Sequence, residues 1–254
     1  KNKESRLEHG GERRNENEWP LARALESRFY LNPNGMLSEQ ITEGPQEPSS
    51  YQFNPDHPVP TVGGNISSGQ PVMTAGGFDQ RESEEFFGSR KPYLPLASRP
   101  DVLVFQTEQL REAVEVTGPV FVKLWISSST VDTDFTAKLI DVYPPSVDYP
   151  EGYALNLTDG ILRVKFRNSW EQTELMVPGE VYQVELNLLP VSNLFVKEHR
   201  IRLDISSSNF PRFDVNGNTG QNPGTSAIRV TATNSVFHDS DRPSHVLLPV
   251  IPIR

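Results

Sequence analysis

Residues 200–205 read Arg-Ile-Arg-Leu-Asp-Ile, and this alternation decides the fold. Ile201, Leu203 and Ile205 share one face of an extended chain, because successive side chains of a strand point to opposite sides. The other face carries Arg200, Arg202 and Asp204. A continuous apolar face of this kind is buried when the strand lies inside a sheet that packs on a core. The sequence therefore predicts a central, buried strand over residues 199–205.

The same two-residue period recurs in seven further stretches, each bounded by Gly, Pro, Asn, Asp or Ser. They cover residues 101–106, 119–126, 133–142, 161–167, 181–188, 227–233 and 245–250. Helical periodicity is nearly absent. Roughly eight or nine short strands over about 150 residues favour a jelly roll over the seven-stranded immunoglobulin sandwich. We predict an all-β jelly-roll sandwich over 101–254, with Trp125 in the core of a strand.

The N-terminal part of the chain has a different composition. Ten of the first eighteen residues are charged, so residues 1–18 are expected to be a flexible charged tail. Residues 19–100 are interrupted repeatedly by Pro and Gly, and they carry many apolar side chains between these breaks. Unsupported loops of such length are uncommon in a compact domain. We therefore expect 19–100 to be an extended, loop-rich arm that serves as an interface segment.

Composition excludes several functional classes. The chain has 254 residues, a net charge of -9 and no Cys, which removes disulfides, thiolate nucleophiles and Cys-ligated zinc. The negative charge argues against nucleic acid as a partner, because the phosphate backbone would be repelled. No apolar run reaches the length of a membrane span, and no signal peptide is visible. The sequence leaves the compartment open and favours the cytoplasm.

The residues that could carry chemistry form no catalytic constellation. The G-x-S-x-G nucleophile elbow is absent, and the five His show no metal-ligand spacing. We assign no catalytic residue and no cofactor. A calcium site is one reading of Asp214, Asn216 and Asn218, which place oxygens at alternate positions; an Asx-rich turn is the other.

A basic stripe is the last candidate. Arg163, Lys165 and Arg167 alternate with apolar residues over 161–167, so they would share one strand face. That face is either solvated and paired with acidic residues on neighbouring strands, or it is a docking face for an acidic partner.

Several longer motifs occur together in a characteristic order. They are PVPTVGG (58–64), FDQR (78–81), DVLVFQTE (101–108), VEVTGP (114–119), LWISSSTVDTDFTAKL (124–139), DGILR (159–163), PGEVY (178–182), HRIRL (199–203), SSSNFPRFD (206–214) and PSHVLLP (243–249). Together they resemble the C-terminal domain of the cocaine-esterase-like, or X-prolyl dipeptidyl aminopeptidase, family of serine hydrolases. This family includes glutaryl acylases and α-amino-acid ester hydrolases. The resemblance implies a galactose-binding-like jelly roll.

The resemblance also implies a division of labour. In this family the Ser, Asp and His of the triad lie in an N-terminal α/β-hydrolase domain, and no triad position maps onto this chain. The isolated chain is therefore expected to be inactive, with an α/β-hydrolase domain or subunit as its partner and self-association as a further expectation. The loop over 62–78 would help line the substrate cleft through Ile66, Met73 and Phe78. The alternative is a stand-alone carbohydrate-binding module, for which Trp170 is the one free aromatic platform.

Overall fold

The computed structural model describes residues 13–66, 69–222 and 227–252, and this part of the chain is built almost entirely from strands. The strands are β1 Leu25–Asn32, β2 Met36–Ser38, β3 Ser49–Phe53, β4 Leu103–Gln106, β5 Val114–Ser128, β6 Asp134–Tyr143, β7 Tyr153–Arg163, β8 Tyr182–Phe195, β9 Arg200–Ser206, β10 Ala232–Phe237 and β11 His245–Ile251. Three short 3-10 helices cover Pro33–Gly35, Leu96–Ser98 and Val164–Phe166. Within the described ranges no helix has the length and apolar character of a membrane span. The predicted all-β class is confirmed.

The strands form one ladder that folds over into two layers. Its order is β3-β10-β5-β11-β1-β2-β4-β9-β6-β7, and β8 pairs with β5 off this path. The first layer consists of β3, β10, β5, β8, β11 and β1, and the second layer consists of β4, β9, β6 and β7. The short β2 joins them: it is antiparallel to β1 and meets β4 through one parallel pair, Met36 with Gln106.

The main core lies between the two layers. Side chains of β5, β8 and β11 meet those of β4, β6 and β9 in one continuous apolar cluster. Ile201, Leu203 and Ile205 are all 0% exposed in this cluster. Their strand β9 lies between β4 and β6, with both of its edges hydrogen-bonded. The predicted central, buried strand is therefore confirmed.

The segment 19–100 supplies both strands and a cover. Its β1 lies between β11 and β2, and its β3 pairs with β10, so these strands are part of the first layer and its join. The stretch that follows β3 crosses the outer face of the second layer and forms a small second core. That core contains Val59, Val62, Phe86, Leu96 and Val102.

The cover changes the environment of the polar face of β9. Arg202 is only 7% exposed and Asp204 only 5%, although the alternation places them opposite the main core. Val59 and Leu96 of the arm, with Val102 just after it, surround a small cavity together with Lys138 and Asp204. The second layer is thus buried on both faces, which period-2 patterning by itself does not reveal.

Three local predictions need correction. The strand placed at 161–167 is β7, Tyr153–Arg163, and the chain turns into a 3-10 helix directly after it. The strand placed at 227–233 is β10, Ala232–Phe237; residues 227–231 are all exposed and make no ladder. Trp125 is half-buried on the outer face of the first layer, because Leu124 and Ile126 occupy the core positions.

Candidate functional site

One loop projects from the covered layer, and its base is closed by two hydrogen bonds. Gly64 N–H donates to the Gly76 carbonyl at 2.7 Å, and Gly76 N–H donates back to Gly64 at 3.0 Å. We call the described residues between these glycines, 65–66 and 69–75, the projecting loop. Gly63 precedes it with φ +63°, and a Cβ there would lie 2.6 Å from the Phe78 ring and closer still to the Gly76 oxygen. Only glycine fits this closure.

The C-terminal foot of the projecting loop is fixed to β7 and to the second core. Phe78 N–H donates to Asn156 Oδ1 at 2.8 Å, and the Phe78 ring meets the Phe86 ring edge-on at 5.3 Å between centroids. Gln80 Nε2 donates to the carbonyl oxygens of Val62 at 3.0 Å and of Phe78 at 3.1 Å. One side-chain amide therefore bridges both feet of the loop.

The N-terminal foot rests on a buried ion pair. Arg212 and Asp159 approach to 2.5 Å, and Asn209 Nδ2 donates to the other oxygen of Asp159 at 3.0 Å. The backbone N–H of Arg212 donates to Thr61 Oγ1 at 3.2 Å. A Cβ at Gly64 would meet the Arg212 guanidinium at 2.8 Å. The arm thus binds this face through the hydrogen bond of Thr61, beside an ion pair that lies within the sandwich.

A buried lysine also supports the feet of the projecting loop. Lys138 lies on the outer face of β6, and its ammonium donates to Gln80 Oε1 at 3.2 Å. Burial lowers the pKa of Lys138, while the carboxylates of Asp159 and Asp204 oppose this effect. Gln80 therefore links this ammonium to both feet of the projecting loop.

Of the three residues expected to line a cleft, two lie within the projecting loop and the third lies at its foot. Ile66 and Met73 of the projecting loop are half-buried, and Val72, which precedes Met73, is 46% exposed. Phe78 lies at the foot, where its ring packs on the second core. Ile66 and Met73 are therefore the two that lie on the projecting part.

The calcium candidates do not share one environment. Asp214 is exposed, whereas Asn216 and Asn218 are buried. The Asn216 amide donates to Asp132 at 3.1 Å and to Asp134 at 2.7 Å. In the part of the chain that the structure describes, no group of three His, Asp or Glu side chains is placed to hold a metal ion.

The basic stripe is three separate internal ion pairs. Arg163 pairs with Asp134 at 2.9 Å, Lys165 lies 3.9 Å from Asp132, and Arg167 pairs with Glu174 at 2.6 Å. The strand ends at Arg163, so the three cations do not line one face. Of the two interpretations, pairing with acidic residues of the same chain is closer to the structure than docking of an acidic partner. Among the three pairs, the expected cross-strand geometry holds for Arg163 and Asp134.

Sequence reasoning missed one serine–histidine contact. Ser49 Oγ lies 3.0 Å from His238 Nε2, with the two residues at adjoining ends of the β3–β10 pair. His238 Nδ1 has no hydrogen-bond partner among the described residues, and burial lowers the pKa of this imidazole. No signal in the sequence links positions 189 residues apart.

A histidine–carboxylate pair lies elsewhere among the described residues. His199 Nδ1 is 2.8 Å from Asp141 Oδ1, and the imidazole is tilted by 44° to the Tyr143 ring at 4.3 Å between centroids. A serine nucleophile requires base and carboxylate in one relay. In residues 13–66, 69–222 and 227–252, the Ser49–His238 contact and the His199–Asp141 pair involve different histidines and do not form one relay.

Comparisons with known proteins place this arrangement in context. A family model described as the X-Pro dipeptidyl-peptidase C-terminal non-catalytic domain matches residues 2–247. Cocaine esterase of Rhodococcus sp. (strain MB1 Bresler) is 38% identical over 249 residues, which are 94% of this chain and 40% of that protein.

Solved structures agree with this result. An aminopeptidase from a marine sediment Thaumarchaeota archaeon superposes with a TM-score of 0.75 at 28% identity, over 90% of this chain and 37% of that one. An α-amino acid ester hydrolase gives 0.72 at 28% identity, over 89% and 36%. The chain thus spans about two fifths of the length of the relatives that it matches.

Proposed function

Because the chain belongs to the family of X-Pro dipeptidyl-peptidase C-terminal non-catalytic domains, we propose that it serves a serine hydrolase of ester, amide or X-prolyl peptide substrates. In this proposal it packs on an α/β-hydrolase domain and helps to shape the substrate cleft. The observation that carries the proposal is the match over 94% of this chain and only 40% of cocaine esterase. The nucleophile relay then belongs to the remainder of such an enzyme.

The surface that contacts the hydrolase domain is the arm. Its buried side chains hold it on the sandwich, and others remain in solvent: Trp19, Leu25, Val72, Phe87 and Leu94 are each about half exposed or more. Apolar side chains that point into water from one connected segment are typical of an interaction surface. The expected interface is of standard size, about 1,600 Å² in total.

The projecting loop is the part of the arm that reaches the cleft. Its base is held in place, since Gln80, Asn156 and the backbone of Arg212 bind both feet. Such support beneath a loop suits a wall whose shape affects the substrate. Ile66 and Met73 would line the cleft, and Phe78 would set the height of the loop.

A carbohydrate-binding module remains the second candidate. Trp170 is 79% exposed, as expected for a free stacking platform. One platform supports this function less well than a matched family and an anchored loop support the first.

The deciding experiment uses the chain with the separately expressed hydrolase domain of a family member. We expect sedimentation to show a one-to-one complex, and ester hydrolysis to rise when the chain is added. The chain alone should not react with a fluorophosphonate probe. A double change of Phe87→Ser and Leu94→Ser should weaken the complex, whereas Trp170→Ser, which removes a more exposed apolar side chain outside the arm, should not.

Three results would contradict the proposal. They are stoichiometric labelling of one serine in the isolated chain, absence of any complex, and loss of binding in the Trp170 variant but not in the arm variant. Retention of the chain on immobilised oligosaccharides, abolished by Trp170→Ser, would favour the carbohydrate-binding module. Self-association of the isolated chain through the arm, reversed by the hydrolase domain, would support the interface.

A further inference from the structure

The ammonium of Lys165 is enclosed by oxygen atoms. Lys165 is 1% exposed, and its Nζ donates to the carbonyl oxygens of Gly220 at 3.1 Å and Gln221 at 3.3 Å. Asn222 Oδ1 accepts a third bond at 3.2 Å. Asp132 Oδ2 lies 3.9 Å away and supplies the negative charge. We call these four oxygens the oxygen cage.

The acidic side of the cage is oriented by hydrogen bonds. Asp132 is 0% exposed, and its Oδ1 accepts the backbone N–H of Lys165 at 3.1 Å. The Asn216 amide bridges Asp132 to Asp134, and Arg163 binds Asp134 through two parallel bonds of 2.9 Å. One carboxylate is therefore matched to each cation, with the lysine paired to Asp132 and the arginine to Asp134.

The loop that closes the cage has oxygens in excess. Asn218 is 2% exposed, and its Oδ1 accepts no hydrogen bond from the residues that the structure describes. Its amide nitrogen donates to the Val230 carbonyl at 2.6 Å, and its backbone N–H binds Asn216 Oδ1 at 2.9 Å. An Asx-rich segment with a spare buried oxygen has the composition of a cation-binding loop.

We propose that the oxygen cage is a cation-binding site whose occupant is the ammonium of the chain's own Lys165. Oxygen atoms of the loops 129–133 and 214–222 converge on this charge. The backbone N–H of Lys165 and the Asn216 amide nitrogen donate to Asp132, the carboxylate that balances it. The nitrogen–oxygen distances of 3.1–3.3 Å suit a hydrogen-bonding ammonium. Calcium needs oxygens at about 2.3–2.6 Å, which is shorter than the spacing around this ammonium.

Chemical rescue tests this assignment. Lys165→Ala removes three methylenes and the ammonium, which together correspond to propylammonium. We expect this variant to melt at a lower temperature, and propylammonium to restore about 2–4 °C with saturation, as binding to the folded state requires. Propanol has nearly the same volume and no charge, and calcium chloride is compared at matched ionic strength. Neither should restore the Tm.

A second buried lysine provides the matched control. Lys138 is 5% exposed, and among the described residues its ammonium donates to Gln80 Oε1 and to no backbone carbonyl, so Lys138→Ala removes an ammonium without leaving a ring of carbonyl oxygens. Propylammonium should not rescue this variant. Equal rescue of both variants, or rescue of Lys165→Ala by propanol or by salt alone, would overturn the proposal.

The proposal can still be tested if the Lys165→Ala variant folds poorly. The soluble yield on refolding from urea then replaces the Tm, and it should rise with propylammonium and stay low with propanol. Adding Asp132→Asn to the alanine variant removes the charged oxygen and should abolish rescue. Rescue that survives this change would show that the ammonium binds elsewhere.

Discussion

The outer faces of the two layers carry similar residues and have opposite environments. On the first layer, Lys123 and Glu185 pair at 3.5 Å with side chains 38% and 50% exposed. On the second layer, Arg202 and Asp204 pair at 2.6 Å with side chains 8% and 6% exposed. The arm covers one face and leaves the other open. An ion pair in water and an ion pair under a cover have different energetic consequences, although the alternation in sequence is the same.

Breaking the covered pair should give the largest effect. Asp204→Ala leaves the Arg202 guanidinium buried without its two hydrogen bonds to carboxylate. We expect the free energy of unfolding to fall by roughly 3–5 kcal/mol, because an unpaired buried charge is strongly destabilising. Urea unfolding measures this change. A loss below about 1 kcal/mol, the range of exposed pairs, would mean that the arm does not seal this face in solution.

A change in the core between the layers should give the next largest loss of stability. Leu203 is 0% exposed and contacts the main cluster from β9. Leu203→Ala should lower the free energy of unfolding by roughly 2–5 kcal/mol, through lost transfer energy and the cavity left behind. The same urea melts give the value. A change under half a kcal/mol would contradict the central position of β9.

A pH dependence should arise at the first layer. Burial lowers the pKa values of His238 and His245, so the folded state binds fewer protons than the unfolded state near their ordinary pKa of 6.5. The free energy of unfolding therefore has its full value above pH 6.5. It decreases as the pH falls from 6.5 towards and through the lowered pKa of the folded state. Each histidine contributes a slope of at most about 1.4 kcal/mol per pH unit.

The variant His238→Gln should flatten this slope between pH 7 and pH 5. His57 is exposed, so His57→Gln is the matched control and should leave the slope unchanged. Urea melts at several pH values compare the three proteins. An identical slope in the wild type and in His238→Gln would show that the His238 imidazole is not held neutral.

Breaking the open pair should give the smallest effect. Glu185→Ala removes the partner of Lys123 on the uncovered face. The expected change in the free energy of unfolding is about 0.2–1 kcal/mol, and it should shrink further in high salt. A loss as large as that of Asp204→Ala would erase the distinction between the two faces.

Much of the fold follows from local pattern. The position of β9 and the all-β class are read correctly, because the two-residue period is a property of the extended backbone. The strand placed at 227–233 is wrong because Ile228 and Val230 alternate without a neighbouring strand to pair with. Likewise β7 ends early because Lys165 turns inward to the oxygen cage.

The candidate site was less accessible to sequence reasoning. The projecting loop and its residues Ile66 and Met73 were located from family motifs, whereas its anchors were not. Gln80 reaches Lys138 across 58 residues, and the backbone of Arg212 reaches Thr61 across 151. No local pattern reports such pairs, since they depend on how the arm lies across the sheet.

The sequence by itself determined the all-β class, the central strand β9, the lack of a nucleophile elbow and the family, because each depends on neighbouring residues. The tertiary structure alone decided which polar face is sealed, where the Lys165 ammonium goes and which serine meets which histidine. Burial is the physical reason: a charge in water needs no partner, but a charge beneath the arm or inside the oxygen cage requires one from a distant segment.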